Sequence, residues 1–131
     1  MADILIHFTL VGDYFDTSFV TKKTGIEPMW LREKDEVLGN GRLFGHTEWG
    51  IRTGMHTTCD VLPAIKELSS MLACSPYVLR ELAHQCNAEW NLLVQMDIRD
   101  NKSPAVYFPA EFIKFCGEIG ATIGLDMSIL V

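Results

Sequence analysis

The sequence predicts an α+β domain with a ferredoxin-like layout: a mostly antiparallel sheet, helices packed on one face, and two β-α-β units. Three observations carry this. Apolar residues alternate with period two near both ends of the chain, in Ile4, Ile6, Phe8 and Leu10 and again in Ile123, Leu125, Met127 and Ile129, which is strand patterning. Between them, apolar residues recur at helical spacing, as in Leu62, Ile65, Leu68 and Leu72, which is the stripe of a helix packed on a core. The two ends also rhyme. A strand leads to Asp16-Thr17, a helix and Thr24-Gly25-Ile26; later a strand leads to Pro109-Ala110, a helix and Ile119-Gly120-Ala121. A crossover helix between strands of one sheet packs on one face with a right-handed connection, and two such units plus hairpins give the ferredoxin-like arrangement.

Element by element, Ile4 to Val11 forms a strand with both faces fairly apolar, ended by Gly12-Asp13. Asp16 or Thr17 caps a short helix through Phe19 and Val20. Gly25 suits its left-handed exit and Pro28 blocks continuation. A hairpin follows, with arms Met29 to Val37 and Arg42 to Arg52 around Gly39-Asn40-Gly41, since Gly and Asn tolerate positive φ. Thr53 to Thr58 reads as a loop. Asp60 or Thr58 caps a second helix with Pro63 in its first turn. Ser75-Pro76 opens a third helix with inward stripe Val78, Leu79, Leu82, Ala83 and Cys86, so the two should form a helical hairpin or one bent unit. Leu92, Val94, Met96 and Ile98 mark a strand with one polar face, followed by a turn at Asp100 to Pro104 and a return strand from Ala105 to Phe108. A fourth helix through Phe112, Ile113, Cys116 and Ile119 ends at Gly120, before a C-terminal strand reaching Val131.

A chain of 131 residues suits one domain, here 1–131, and its 48% hydrophobic and 21% charged residues fit a globular fold rather than disorder. The formal charge of −6, from 17 acidic against 11 basic residues, argues against nucleic-acid partners and anionic membrane surfaces. It suits a basic partner. The N-terminus has no basic segment leading into an apolar run, and no run approaches the ~20 residues that span a bilayer, so a cytoplasmic location is expected. Cys59, Cys74, Cys86 and Cys116 form no Cys-x-x-Cys pair and read as small buried hydrophobes in a reducing compartment.

No residue stands in a recognisable catalytic pattern. There is no Gly-x-Ser-x-Gly elbow, and no phosphate-cradling loop precedes a helix. His46, His56 and Asp60 lie near one another in sequence but match no ligand spacing, so no metal and no cofactor is expected. Asp13-Tyr14-Phe15-Asp16 is explained as turn plus helix cap. Trp30 and Trp49 sit on opposing hairpin arms, where core or hairpin packing is the favoured role and a cross-strand pair could form; an interface is the functional alternative. Around them lie Glu33, Asp35, Glu36 and Glu48. An aromatic anchor with a carboxylate rim would suit a positively charged protein and speed its capture. Trp30, Glu33, Asp35, Glu36, Glu48 and Trp49 are therefore the candidate partner-binding residues.

Phe8 to Pro28, Thr47-Glu48-Trp49 with Ile51, and Ile119-Gly120-Ala121 through Asp126-Met127 together resemble the uncharacterised bacterial family catalogued as domain of unknown function 4279. The resemblance supports the α+β fold and implies no activity. Small size, acidity and the want of catalytic motifs fit an immunity-type protein that neutralises a toxin by direct contact with a basic toxin domain. The alternative is a small-molecule-binding or enzymatic domain with a pocket between sheet and helices, where His46, His56 and Asp60 would converge. A third expectation is an oligomer-forming domain whose C-terminal strand pairs edge to edge.

Overall fold

The computed structural model describes residues 1–130, so the end of the last strand at Val131 lies outside the described residues. It is a mixed α+β fold: a six-stranded, mostly antiparallel sheet with four helices. Two long strands form its spine. β1 (Ala2–Gly12) and β5 (Ala88–Ile98) run antiparallel and pair over their full lengths, Ala2 opposite Ile98 through Gly12 opposite Ala88. On the far side of β1, β3 (Thr47–Arg52) takes His7 to Gly12, and β2 (Trp30–Arg32) closes that edge against β3. The remaining Ala2 to Ile4 stretch is taken by β4 (His56–Thr58). β6 (Thr122–Ile129) lies parallel to β5 and forms the opposite edge.

Alternation along the spine sorts its side chains. Ile4, Ile6, Phe8 and Leu10 of β1, and Trp90, Leu92, Val94 and Met96 of β5, are sealed from solvent and share one core with the helices. The helices are α1 (Thr17–Thr24), α2 (Leu62–Met71), α3 (Pro76–Cys86) and α4 (Ala110–Ile119). They contribute Val20, Ala64, Leu68, Leu79, Leu82, Phe112, Cys116 and Ile119. Phe8 stacks on Trp90 at 4.6 Å between centroids, and Trp49 meets Trp90 edge-on at 6.0 Å. Both buried indoles have partners for their N–H groups: Trp49 donates to Thr21 Oγ1 at 3.0 Å and Trp90 to the Leu79 carbonyl at 2.7 Å. Indole burial is favourable only when that donor is satisfied.

The helix ends follow the sequence closely. Asp16 accepts from the Ser18 N–H and Gly25 leaves α1 at φ +70°. Ser75 caps α3, and Gly120 ends α4 in the left-handed region. For α2, Asp60 Oδ1 accepts from the Leu62 N–H, although the helix itself begins after Val61. Cys86 and Cys116 are buried, Cys74 half-buried and Cys59 exposed. Burial pushes the Cys116 thiol up to about 11, so it stays a protonated, inert hydrophobe.

Four elements differ from expectation. The first hairpin arm is a strand only over Trp30–Arg32; beyond it, pairing resumes at the single bridge Val37 to Leu43. The segment Thr53 to Thr58 is not all loop, because β3 stops at Arg52 and leaves the lower edge of β1 for His56–Thr58 to satisfy. The return strand over Ala105 to Phe108 shrinks to one bridge from Ala105 to Asp60. Pro104 and Pro109 flank it and cannot donate to a ladder. Finally, α3 packs chiefly against α4 rather than forming a hairpin with α2.

Candidate functional site

The expected cross-strand tryptophan pair does not form. Trp30 stands opposite Gly50, and Trp49 opposite Leu31. Neighbouring residues of β3 point to opposite faces, so Trp49 is fully buried under the helices while Trp30 lies on the other face of the sheet. A solvent-sealed side chain cannot touch a partner, which removes Trp49 from the candidate surface. Trp30 lies flat over Gly50, where any Cβ would collide with its ring, and meets the His7 ring edge-on at 5.7 Å. His7 in turn shares a hydrogen bond with Gln95 at 3.1 Å. Gly50 is therefore the residue that lets Trp30 close down on the sheet.

The carboxylates of the hairpin are brought to one end of the sheet, yet each has a partner within the chain. Glu33 accepts from Thr17 Oγ1 at 3.3 Å, and Asp35 from the Tyr14 hydroxyl at 2.6 Å. Glu36 pairs with Arg32 at 2.6 Å, and Glu48 with His46 at 3.0 Å. Lys34 reaches back to Asp13 at 2.5 Å and lies over the Tyr14 ring, 4.6 Å from its centroid. Asp35 sits at φ +68°, a conformation Asp tolerates better than most residues. It gives its N–H to the Phe44 carbonyl at 2.8 Å. Residues 33–36 thus form a clasp onto the β1–α1 connection. The hydrogen bond to Asp35 raises the Tyr14 pKa, and that to Asp13 raises the Lys34 pKa.

Past the clasp, the hairpin tip is apolar and open. Val37 and Leu43 face each other across the bridge, 70% and 59% exposed, and no polar function ties them inward. Tyr14 and Leu31 are also exposed. The tip turn is closed by the Gly41 N–H donating to the Leu38 carbonyl at 2.9 Å, with Gly41 at φ +83°.

His46, His56 and Asp60 do not converge on one hollow. His46 is bound to Glu48, His56 to Glu67 of α2 at 2.9 Å, and Asp60 to the start of α2. The hydrogen bond from His56 holds the Glu67 carboxyl below its usual range. Among the described residues, no group of three or more His, Cys, Asp or Glu is placed to hold a metal. The larger hollow is a groove of about 740 Å³ between α2, α3 and α4, lined by Ile65, Lys66, Leu72, Pro76, Phe112 and Phe115. None of the three predicted residues lines it. No helix is long and apolar enough to cross a membrane among the described residues.

The sequence reading missed Asp13, Tyr14, Thr17 and Lys34, which make the clasp. Asp13 to Asp16 had a sufficient local explanation as turn and cap, and the true partners of Asp13 and Tyr14 lie 21 residues away. A family model described as "Domain of unknown function (DUF4279)" matches residues 3–130. No curated protein and no solved structure matches the chain.

Proposed function

The chain belongs to the DUF4279 family, and from that premise we propose that it is a non-enzymatic bacterial binding protein of the immunity type. In this proposal it neutralises a cognate toxin in the cytoplasm by direct contact with a basic toxin domain. The observation that supports it is the hairpin tip. Val37 and Leu43 offer a largely exposed apolar pair, beside the exposed Glu33 and Asp35 and half-buried Glu36. Apolar centre and charged rim are the usual anatomy of a protein interface. The net charge of −6 favours a basic partner. We take the sheet as an elaborated ferredoxin-like layout, with β1-α1-β2 and β5-α4-β6 as its two β-α-β units.

The test takes the products of the neighbouring genes, among which this reading expects a toxin domain. The chain should bind that domain and protect cells that express it. Reversing Glu33, Asp35 and Glu36 to Lys should weaken binding at least tenfold. Because those carboxylates also hold the clasp, Val37→Asp is the cleaner variant: it severs no internal bond and should abolish protection. Binding unchanged in both variants would remove the hairpin from the interface.

The groove between α2, α3 and α4 supports a second reading, a small apolar ligand carrying a negative group toward Lys66. Its volume of about 740 Å³ lies in the range of ligand sites. Thermal stabilisation by decanoate, lost in Phe115→Arg but kept in Val37→Asp, would favour this reading over the first.

A further inference from the structure

We propose that β6 is a dimerisation edge, at which a second copy of the chain adds its own β6 antiparallel and extends the sheet across a two-fold axis. β6 carries Ile123, Leu125, Met127 and Ile129 opposite Leu92, Val94, Met96 and Ile98 of β5. Side chains opposite one another share a face, so these four lie on the face where β5 is sealed by helices. On β5 that layer is at most 4% exposed; on β6 the same layer is 37% to 64% exposed. The core layer therefore runs off the side of the sheet without cover.

The edge itself is bare. The Leu130 N–H donates to the Ile98 carbonyl, so even-numbered residues of β6 turn their main-chain groups toward β5. Successive residues of a strand point these groups to opposite sides, which leaves the N–H and C=O groups of Ile123, Leu125 and Met127 on the open side. Among the described residues no strand pairs there. Isolated edges are normally blunted by Lys, Pro or a bulge. β6 has none of these, and its one charged residue, Asp126, lies on the opposite face of the sheet.

The occupant is a second copy because β6 is complementary to itself. A two-fold axis through Leu125 places Leu125 against its own copy and Ile123 against Met127, with the open-side main-chain groups facing each other. On the other face it places Asp126 against Gly124 and Thr122 against Ser128. An axis one residue on would oppose Asp126 to Asp126, which is unfavourable. The size is also adequate. Ile123, Leu125, Met127 and Ile129 expose on the order of 400 Å², about half of the ~800 Å² each partner gives to a standard interface. Such a closed, isologous contact consumes the edge and stops at two copies.

Light scattering on the full chain reads the outcome. The wild type should have the mass of a dimer that dissociates on dilution. Ile123→Lys and Met127→Glu should each be monomeric, with unchanged circular dichroism because neither position is sealed in the core of the monomer. Mixed in equal amounts, the two variants should regain the dimer mass, since the ammonium introduced by Ile123→Lys in one copy then faces the carboxylate introduced by Met127→Glu in the other. Should either variant unfold, Leu125→Lys with Leu125→Glu makes the same comparison at the axis. A monomeric wild type at all accessible concentrations, or variants that remain dimeric, would overturn the proposal. So would open-ended growth, or dimers that fail to re-form in the mixture.

Discussion

The two edges of the sheet solve the same problem in opposite ways. At the β2 edge the strand is only three residues long and held from both sides: Trp30 lies over Gly50, and the clasp of Glu33, Lys34 and Asp35 ties the following loop to the β1–α1 connection. At the β6 edge the strand is eight residues long and held by a full ladder to β5 and by Thr122 Oγ1 donating to Asn91 Oδ1 at 2.6 Å, with an apolar layer left open. A short edge rich in charge discourages further strands; a long, flat apolar edge invites one. The difference assigns different work to the two ends: an anchored platform displaying side chains at one, and main-chain pairing at the other.

The largest effect expected from breaking this contrast lies in α4, the helix that leads into β6. Phe112 of α4 is 6% exposed and stacks between Phe108 and Phe115 at 6.0 and 6.4 Å. Phe112→Ala should cost about 3–5 kcal/mol, read by denaturant melts, because it removes the anchor of the helix that precedes β6. A loss below about 1 kcal/mol, the size of an ordinary surface change, would mean that the ladder to β5 holds this edge without α4.

Next comes the β2 edge. A Cβ at Gly50 must displace the Trp30 ring, so Gly50→Ala should cost about 1–3 kcal/mol. In a Trp30→Ala background the same change should cost much less, and the double-mutant cycle measures the coupling. Additive losses would show that Trp30 does not depend on the close approach.

What the sequence made legible divides along the same line. Strands that alternate cleanly, such as β1, β5 and β6, and helices with a side-chain cap and glycine exit, such as α1, are readable because their signals are local. The first hairpin arm is not. Its composition permits a long strand, but Asp35 adopts positive φ and the loop turns aside to meet Asp13 and Tyr14. Those partners are fixed by tertiary approach, which no local pattern encodes. The expectation for Trp49 fails for a related reason. Its burial depends on which face of β3 meets the helices, and a one-residue shift of register inverts that. The carboxylates do lie at the hairpin, but their engagement with Thr17, Tyr14, Arg32 and His46 leaves no mark in the local sequence.

A smaller effect should follow from opening the clasp. Lys34→Met removes the ion pair to Asp13 and the contact over Tyr14. Exposed pairs add little to global stability, so the melting temperature should barely move. Hydrogen exchange should instead quicken at Asp35 and Phe44, whose amides hold the loop, while β5 amides stay protected. Uniform acceleration across the sheet would argue that the clasp belongs to the same cooperative unit as the spine.

The subtlest effect is a loosening of the β2 edge at alkaline pH. The hydrogen bond to Asp35 raises Tyr14 above its ordinary 10.0, and the one to Asp13 raises Lys34 above 10.5. Both folded-state values are raised, so the stabilisation is fully present below about pH 10 and drains away as the pH climbs through the raised values. Above them Tyr14 has lost the proton it donates and Lys34 the charge that holds Asp13. Phenolate absorbance, taken as wild type minus Tyr14→Phe, should therefore rise at a pH above 10.0. In Asp35→Asn, which removes the negative charge while an amide oxygen can still accept from Tyr14, that midpoint should fall. A Tyr14 midpoint at or below 10.0 in the wild type would mean that Tyr14 is free in solution, and the β2 edge would then rest on Trp30 and Gly50 alone.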